Sequence, residues 1–194
     1  MKRQTTLATL FALLVTVAMA APVTISGSIK TNLSNVGNLR VGAFLTDRSG
    51  NPSRELASSA VANAGFNLSI PEAAPNASAL NPVVSDNLDW PGLVGKVIVT
   101  GQAKAVRVIL RAYIDSDRSG NGSGGDTNLE TAVTHGRGSL VLVYSDARFR
   151  VQGDKGFDIT VEPGWNLIAV ELGRTIETKR VPTMDAVQLE VFSG

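Results

Sequence analysis

The run "DSDRSGNGSGGD", Asp115 to Asp126, places carboxylates at its first, third and twelfth positions and a glycine at the sixth. Laid on the calcium-loop spacing, Asp115, Asp117 and Ser119 take the first three side-chain ligand positions. Gly120 takes the sharp turn, Asn121 the main-chain carbonyl position and Asp126 the closing position. Carboxylates crowded this closely repel one another, and a hard divalent cation removes that repulsion. The closing residue is Asp rather than the longer Glu, and Gly122, Gly124 and Gly125 lose backbone freedom on ordering, so the expected affinity is modest, with Kd ~10⁻⁴ to 10⁻³ M. Asn128 and Glu130 stand nearby as reserve ligands. The competing reading is a mobile hairpin loop whose Asp and Ser side chains satisfy local backbone groups. A strand pattern precedes the run, which points to a structural clamp rather than a helix-loop-helix switch.

The same run also fits G-x-G-x-x-G at Gly120, Gly122 and Gly125, with Asp146 about twenty residues on, as in a dinucleotide site. That match requires "TNLETAV" to be a helix, and Asp126 would face a pyrophosphate. His135 is the single histidine and cysteine is absent, so the usual zinc and transition-metal ligand sets are excluded. No G-x-S-x-G elbow occurs to carry a serine nucleophile, and "THGRGS" has the composition of a polar turn. Paired carboxylates of a hydrolase depend on the fold for their separation. A non-enzymatic protein is therefore expected, with a secreted hydrolase as the least favoured reading.

Two further constellations suggest a ligand. Arg107 and Arg111 share one face of a strand, and Arg148 and Arg150 share a face of another. Were these strands neighbours, they would form a basic stripe for acidic glycans or phosphate-bearing polymers. The plainer account has arginine stems covering sheet surface with their heads in water. Trp165 is either a sugar-stacking platform or, opening the apolar run "WNLIAVEL", a core residue.

The elements that position these residues are short. Apolar alternation recurs in runs divided by Gly, Asn, Asp, Ser and Pro, and beyond the first twenty residues no long stretch has a helical period. "AGFNLSIP" puts Phe66, Leu68 and Ile70 on one face, and "AVRVILRAYI" puts Val106, Val108, Leu110, Ala112 and Ile114 on one face. Its other face, with Arg107, Ile109, Arg111 and Tyr113, is expected to be mostly wet. "SLVLVY" is apolar on both faces and belongs in the middle of a sheet. The pattern predicts an all-β fold, an antiparallel β-sandwich, with a meander in the first half. Residues 72–95, rich in Pro, Ala, Asn and Ser, form a crossover pinned by Trp90. It either spans one sandwich or joins sub-lobes over 21–71 and 96–194.

At "TISGSIK", "LRVGAFL" and "AGFNLSIP" the first half resembles the carboxypeptidase-regulatory-like, transthyretin-like family of small β-sandwich domains. The resemblance rests on Gly27, Val41, Ala43, Gly65, Phe66 and Pro71 and covers residues 24–71. It implies an immunoglobulin-like or transthyretin-like sandwich serving as a non-catalytic accessory module.

Lys2 and Arg3 precede an apolar stretch from Leu7 to Met19, with small residues at Ala18 and Ala20. A secretory signal over residues 1–20 is expected, followed by one domain over 21–194 in the periplasm, at the cell surface or outside the cell. No cysteine follows that could be acylated, and no segment is long and apolar enough for a membrane span. Removal of Lys2 and Arg3 leaves 16 basic against 17 acidic side chains, a net charge of −1. That balance gives no footprint for nucleic acid. The partner expected is an envelope protein or polysaccharide, and the oligomeric state is left open.

Overall fold

The computed structural model describes residues 23–32, 37–71, 73–182 and 184–192, so the expected signal peptide lies outside the described residues. The chain is all-β, with strands β1 (Val23–Thr31), β2 (Leu39–Thr46), β3 (Pro52–Ala60), β4 (Gly65–Ile70), β5 (Asn81–Pro82), β6 (Ile98–Thr100), β7 (Lys104–Ile114) and β8 (Thr127–Asn128). There follow β9 (Glu130–His135), β10 (Gly138–Ser145), β11 (Phe149–Gln152), β12 (Asp158–Val161), β13 (Gly164–Leu172), β14 (Ile176–Arg180) and β15 (Met184–Phe192). The only helical pieces among the described residues are three single 3-10 turns.

The large sheet runs β3-β2-β7-β10-β9-β15-β1-β4 and curls toward a barrel; β13 adds to β10, β14 adds to β13, and β11 forms a second sheet between β12 and β6. Pairing is antiparallel except between β1 and β15, which run parallel. The expected meander is not formed, because β1 pairs with β4 and β15 while β2 pairs with β3 and β7. Local alternation specifies which face of a strand is buried, but not which strand it pairs with. Gly27 sits at the bulge in the parallel ladder, where a Cβ would lie 1.9 Å from the Val187 carbonyl oxygen.

Two apolar clusters hold these sheets. The first fills the curled sheet with Ile25, Val41, Leu68, Val108, Leu142 and Leu189, drawn from strands on both sides of the crossover. The second lies between β10–β13 and the small sheet, with Val141, Val143, Phe149, Phe157 and Ile168. β10 is apolar on both faces because Leu142 enters the first cluster and Val141 and Val143 the second. The crossover carries two 3-10 turns and the short β5, and its Trp90 is buried against Phe149 and Phe157 with ring centroids 6.3 and 6.4 Å away.

Candidate metal centre

β7 ends at Ile114, and the next residue starts the acidic loop. The Asp115 main-chain N–H donates to Asn38 O at 3.0 Å, so the ladder to β2 fixes where this carboxylate begins. Asp115 is buried, and its two oxygens accept the N–H groups of Ser119 and Gly120, each at 3.0 Å. That turn uses left-handed backbone at Arg118 (φ 57°) and Gly120 (φ 80°), and glycine makes the second of these inexpensive. Asp117 Oδ1 accepts the Ser119 N–H at 2.9 Å, and its Oδ2 accepts the Ser123 hydroxyl at 3.0 Å. Asp126 closes the loop, accepting the N–H of Ser116 at 3.0 Å and of Ser123 at 2.6 Å.

The outcome is a convergence. Asp115, Asp117 and Asp126 each present a carboxylate oxygen, and the three oxygens lie within 4.8 Å of one another. A carboxylate oxygen has two lone pairs, so accepting one N–H leaves capacity for a cation. Hydrogen bonds from Ser119, joined by Ser123, hold the Asp117 carboxyl below the usual carboxylate range. The loop is therefore both self-satisfied and convergent, combining features of the two readings that its sequence allowed.

Ser119 and Asn121, the other expected ligands, are turned toward each other: the Ser119 hydroxyl donates to Asn121 O at 2.9 Å. The reserve ligands lie on strands instead, Asn128 beside Tyr113 in β8 and Glu130 opposite Phe192 in β9. "TNLETAV" is strand, not helix, which removes the frame for a dinucleotide, and Asp146 accepts the Lys104 N–H at 2.7 Å. His135 and Gly138 flank the two-residue turn of the β9–β10 hairpin.

The anchors of the loop were not apparent from spacing. Glu55 on β3 accepts the Gly122 N–H at 2.6 Å and the Tyr113 hydroxyl at 3.2 Å through the same oxygen. A bulge between Ala43 and Phe44 shifts the β2–β3 register just there and turns Glu55 toward the loop. The Ser58 hydroxyl donates to Gly120 O at 2.7 Å and accepts from Arg40 at 2.9 Å, and Arg40 Nε stands 3.9 Å from Asp115 Oδ2. Tyr113, expected on a wet face, is fully buried beneath these contacts and meets Phe44 edge-on at 6.2 Å. Burial raises its pKa.

The arginines separate into two places. β11 pairs only with β12 and β6, so Arg148 and Arg150 do not adjoin β7 and no four-arginine stripe is formed. Arg148 reaches Glu162 at 3.5 Å, and Arg150 Nε donates to Asp158 at 2.7 Å. Arg107 donates to the Asp89 carbonyl, and burial lowers its pKa. The Arg111 side chain has no hydrogen bond or ion pair to another described residue, while its main chain pairs with Gly42 in β2. Trp165 packs edge-on against Tyr144 at 5.2 Å and against the first core cluster. Among the described residues no helix is long and apolar enough to cross a membrane. Compared with models of protein families, with curated proteins and with solved structures, the chain has no match.

Proposed function

We propose that this chain is an exported, non-enzymatic β-sandwich that serves as a structural or interaction module of the cell envelope, and that a calcium ion closes its Asp115–Asp126 loop. The observation that carries the ion is the approach of three carboxylate oxygens to within 4.8 Å of one another. Export is supported by the basic, apolar and small-residue order of residues 2–20. A binding rather than a proton-transfer role suits the loop, because its carboxylates are fixed by main-chain N–H groups and Asp117 is held ionised. A general base poised near neutral pH requires the opposite shift.

The ion would have a mechanical consequence. The loop is tied to β2 and β3 through Arg40, Glu55 and Ser58, so ordering it stiffens the end of the sheet where β7 leaves. Calorimetric titration of the processed chain tests the reading. One calcium per chain with Kd between ~10⁻⁴ and 10⁻³ M is expected. Absence of saturable heat at millimolar calcium rejects the clamp.

A further inference from the structure

The wall of the curled sheet opens beside β7. β10 pairs with β7 only from Val108↔Leu142 to Ala105↔Ser145, then turns to β9 at Ser139↔Thr134 and Gly138↔His135. β9 comes back to β7 only near Ala112, whose carbonyl accepts the Leu129 N–H at 3.1 Å and whose N–H donates to Thr131 Oγ1 at 3.2 Å. Between these closures no ladder covers Ile109 to Arg111 on this edge.

Alternation along each strand says what faces the opening. Ala112 turns its N–H and C=O to this edge, so Leu110, two residues earlier, does the same. In a two-residue hairpin the residues flanking the turn bond to each other, so His135 and Gly138 face one another; the Thr134↔Ser139 step is then closed by the Leu140 N–H on the Val133 carbonyl, and the Val133 N–H and the Leu140 carbonyl are left aimed at the gap. Three strands thus direct main-chain donors and acceptors into an opening with no ladder partner. Such groups seek partners.

Over the opening lies a groove of about 460 Å³, with Pro52 and Pro91 among its lining residues and Ile109 and Arg111 beside them. Its size is that of a ligand site. No aromatic side chain lines it, which removes the stacking surface a sugar ring would use. Glu130 also borders the groove, and Arg107 is already paired with Asp89, so Arg111 supplies the cation without a partner.

We propose that this groove binds an extended peptide segment of a partner protein, laid along β7, with one acidic residue opposite Arg111 followed by apolar residues opposite Leu110 and Ile109. The peptide supplies the alternating N–H and C=O groups that the gap lacks. Residues facing across a strand pair stand with Cβ atoms about 5 Å apart, which brings a carboxylate within reach of Arg111. The residue facing Leu110 points through the opening toward Leu129 and Leu142, and its apolar character follows from theirs. Three residues span about 10 Å of strand, the uncovered stretch of β7, and the flanking peptide residues turn out of the sheet because Leu142 and Leu129 close the row opposite Val108 and Ala112. This surface goes beyond the structural reading above and does not depend on the ion.

The test uses the processed chain and a labelled pentapeptide, acetyl-Gly-Glu-Leu-Val-Gly-amide, read by fluorescence anisotropy and by amide resonances. Saturable binding is expected, with shifts and slowed exchange at the amides of Leu110 and Val133. Changing the peptide's Glu to Gln, or making Arg111→Gln, should each weaken binding about tenfold, the loss of one charge-assisted hydrogen bond. Arg111→Lys should restore part of it. Absent saturation, equal binding of the Glu and Gln peptides, or binding that leaves those two amides unmoved overturns the proposal. Arg111-dependent binding of polygalacturonate without peptide binding overturns it in favour of an acidic glycan.

Discussion

Replacing Asp117 by Asn separates the ion from the scaffold better than any change at Asp115. Asp117 is exposed, and its amide counterpart keeps an oxygen for the Ser119 N–H, so the variant without calcium should unfold close to wild type. With Kd near 10⁻⁴ M and calcium at 10 mM, binding to the folded chain alone adds about 2.7 kcal/mol. For a domain of this size that is a rise of roughly 5–10 °C in Tm relative to chelator. Loss of one carboxylate charge that weakens binding tenfold leaves about 1.4 kcal/mol, so the rise should fall by about half. Asp115→Asn behaves differently. It sets an NH₂ group against the Ser119 or Gly120 N–H in a buried site, and it should cost about 1–3 kcal/mol of stability and so lower Tm even in chelator. Circular dichroism melts in chelator, calcium and magnesium read all three chains. An identical wild-type midpoint in chelator and calcium, or an undiminished calcium response in Asp117→Asn, refutes the reasoning.

Other parts of the structure give sharper tests of the fold. Gly27→Ala should break the parallel β1–β15 ladder, because the added Cβ meets the Val187 carbonyl at 1.9 Å; a marked fall in urea midpoint, or failure to fold, is expected. Trp90→Ala should cost about 3–5 kcal/mol in denaturant melts, since the ring fills the second cluster between Phe149 and Phe157. Asp47, Asp117 and Asp158 all have folded pKa values below their unfolded ones, Asp47 through the Asn51 N–H and Asp158 through Arg150. Their contribution is present above the unfolded value and lost as pH falls through the folded ones. Stability should hold near neutrality and decline below about pH 4. Melts in chelator across this range check the sign.

Burial was legible where one strand's own pattern decides it. Phe66, Leu68 and Ile70 are buried while Asn67 and Ser69 are exposed, and Val106, Val108, Leu110 and Ala112 all line the first cluster. "SLVLVY" was rightly expected between other strands, and the reason for its two apolar faces is the second cluster behind it. What local pattern could not carry was pairing across distance. The parallel contact of β1 with β15 joins the first and last described strands, and the departure of β10 from β7 creates the groove; neither leaves a mark on a single strand. Tyr113 departs from the wet face expected of it for the same reason, because the residues that cover it come from β2 and from an anchor on β3. In the acidic loop the spacing was informative. Asp115, Asp117 and Asp126 do converge, whereas Glu55, Arg40 and Ser58, which hold the loop to the sheet, come from 68 to 86 residues before Asp126 along the sequence, with no motif to mark them.

A crystal structure of the processed chain grown in 10 mM calcium addresses the central claim without intermediaries. The expected result is an ion bound by one oxygen each from Asp115, Asp117 and Asp126 at about 2.3–2.6 Å, its remaining positions filled by water or main-chain oxygen. Carboxylates still held only by the Ser116, Ser119, Gly120 and Ser123 groups, with water or nothing at their centre, contradict it.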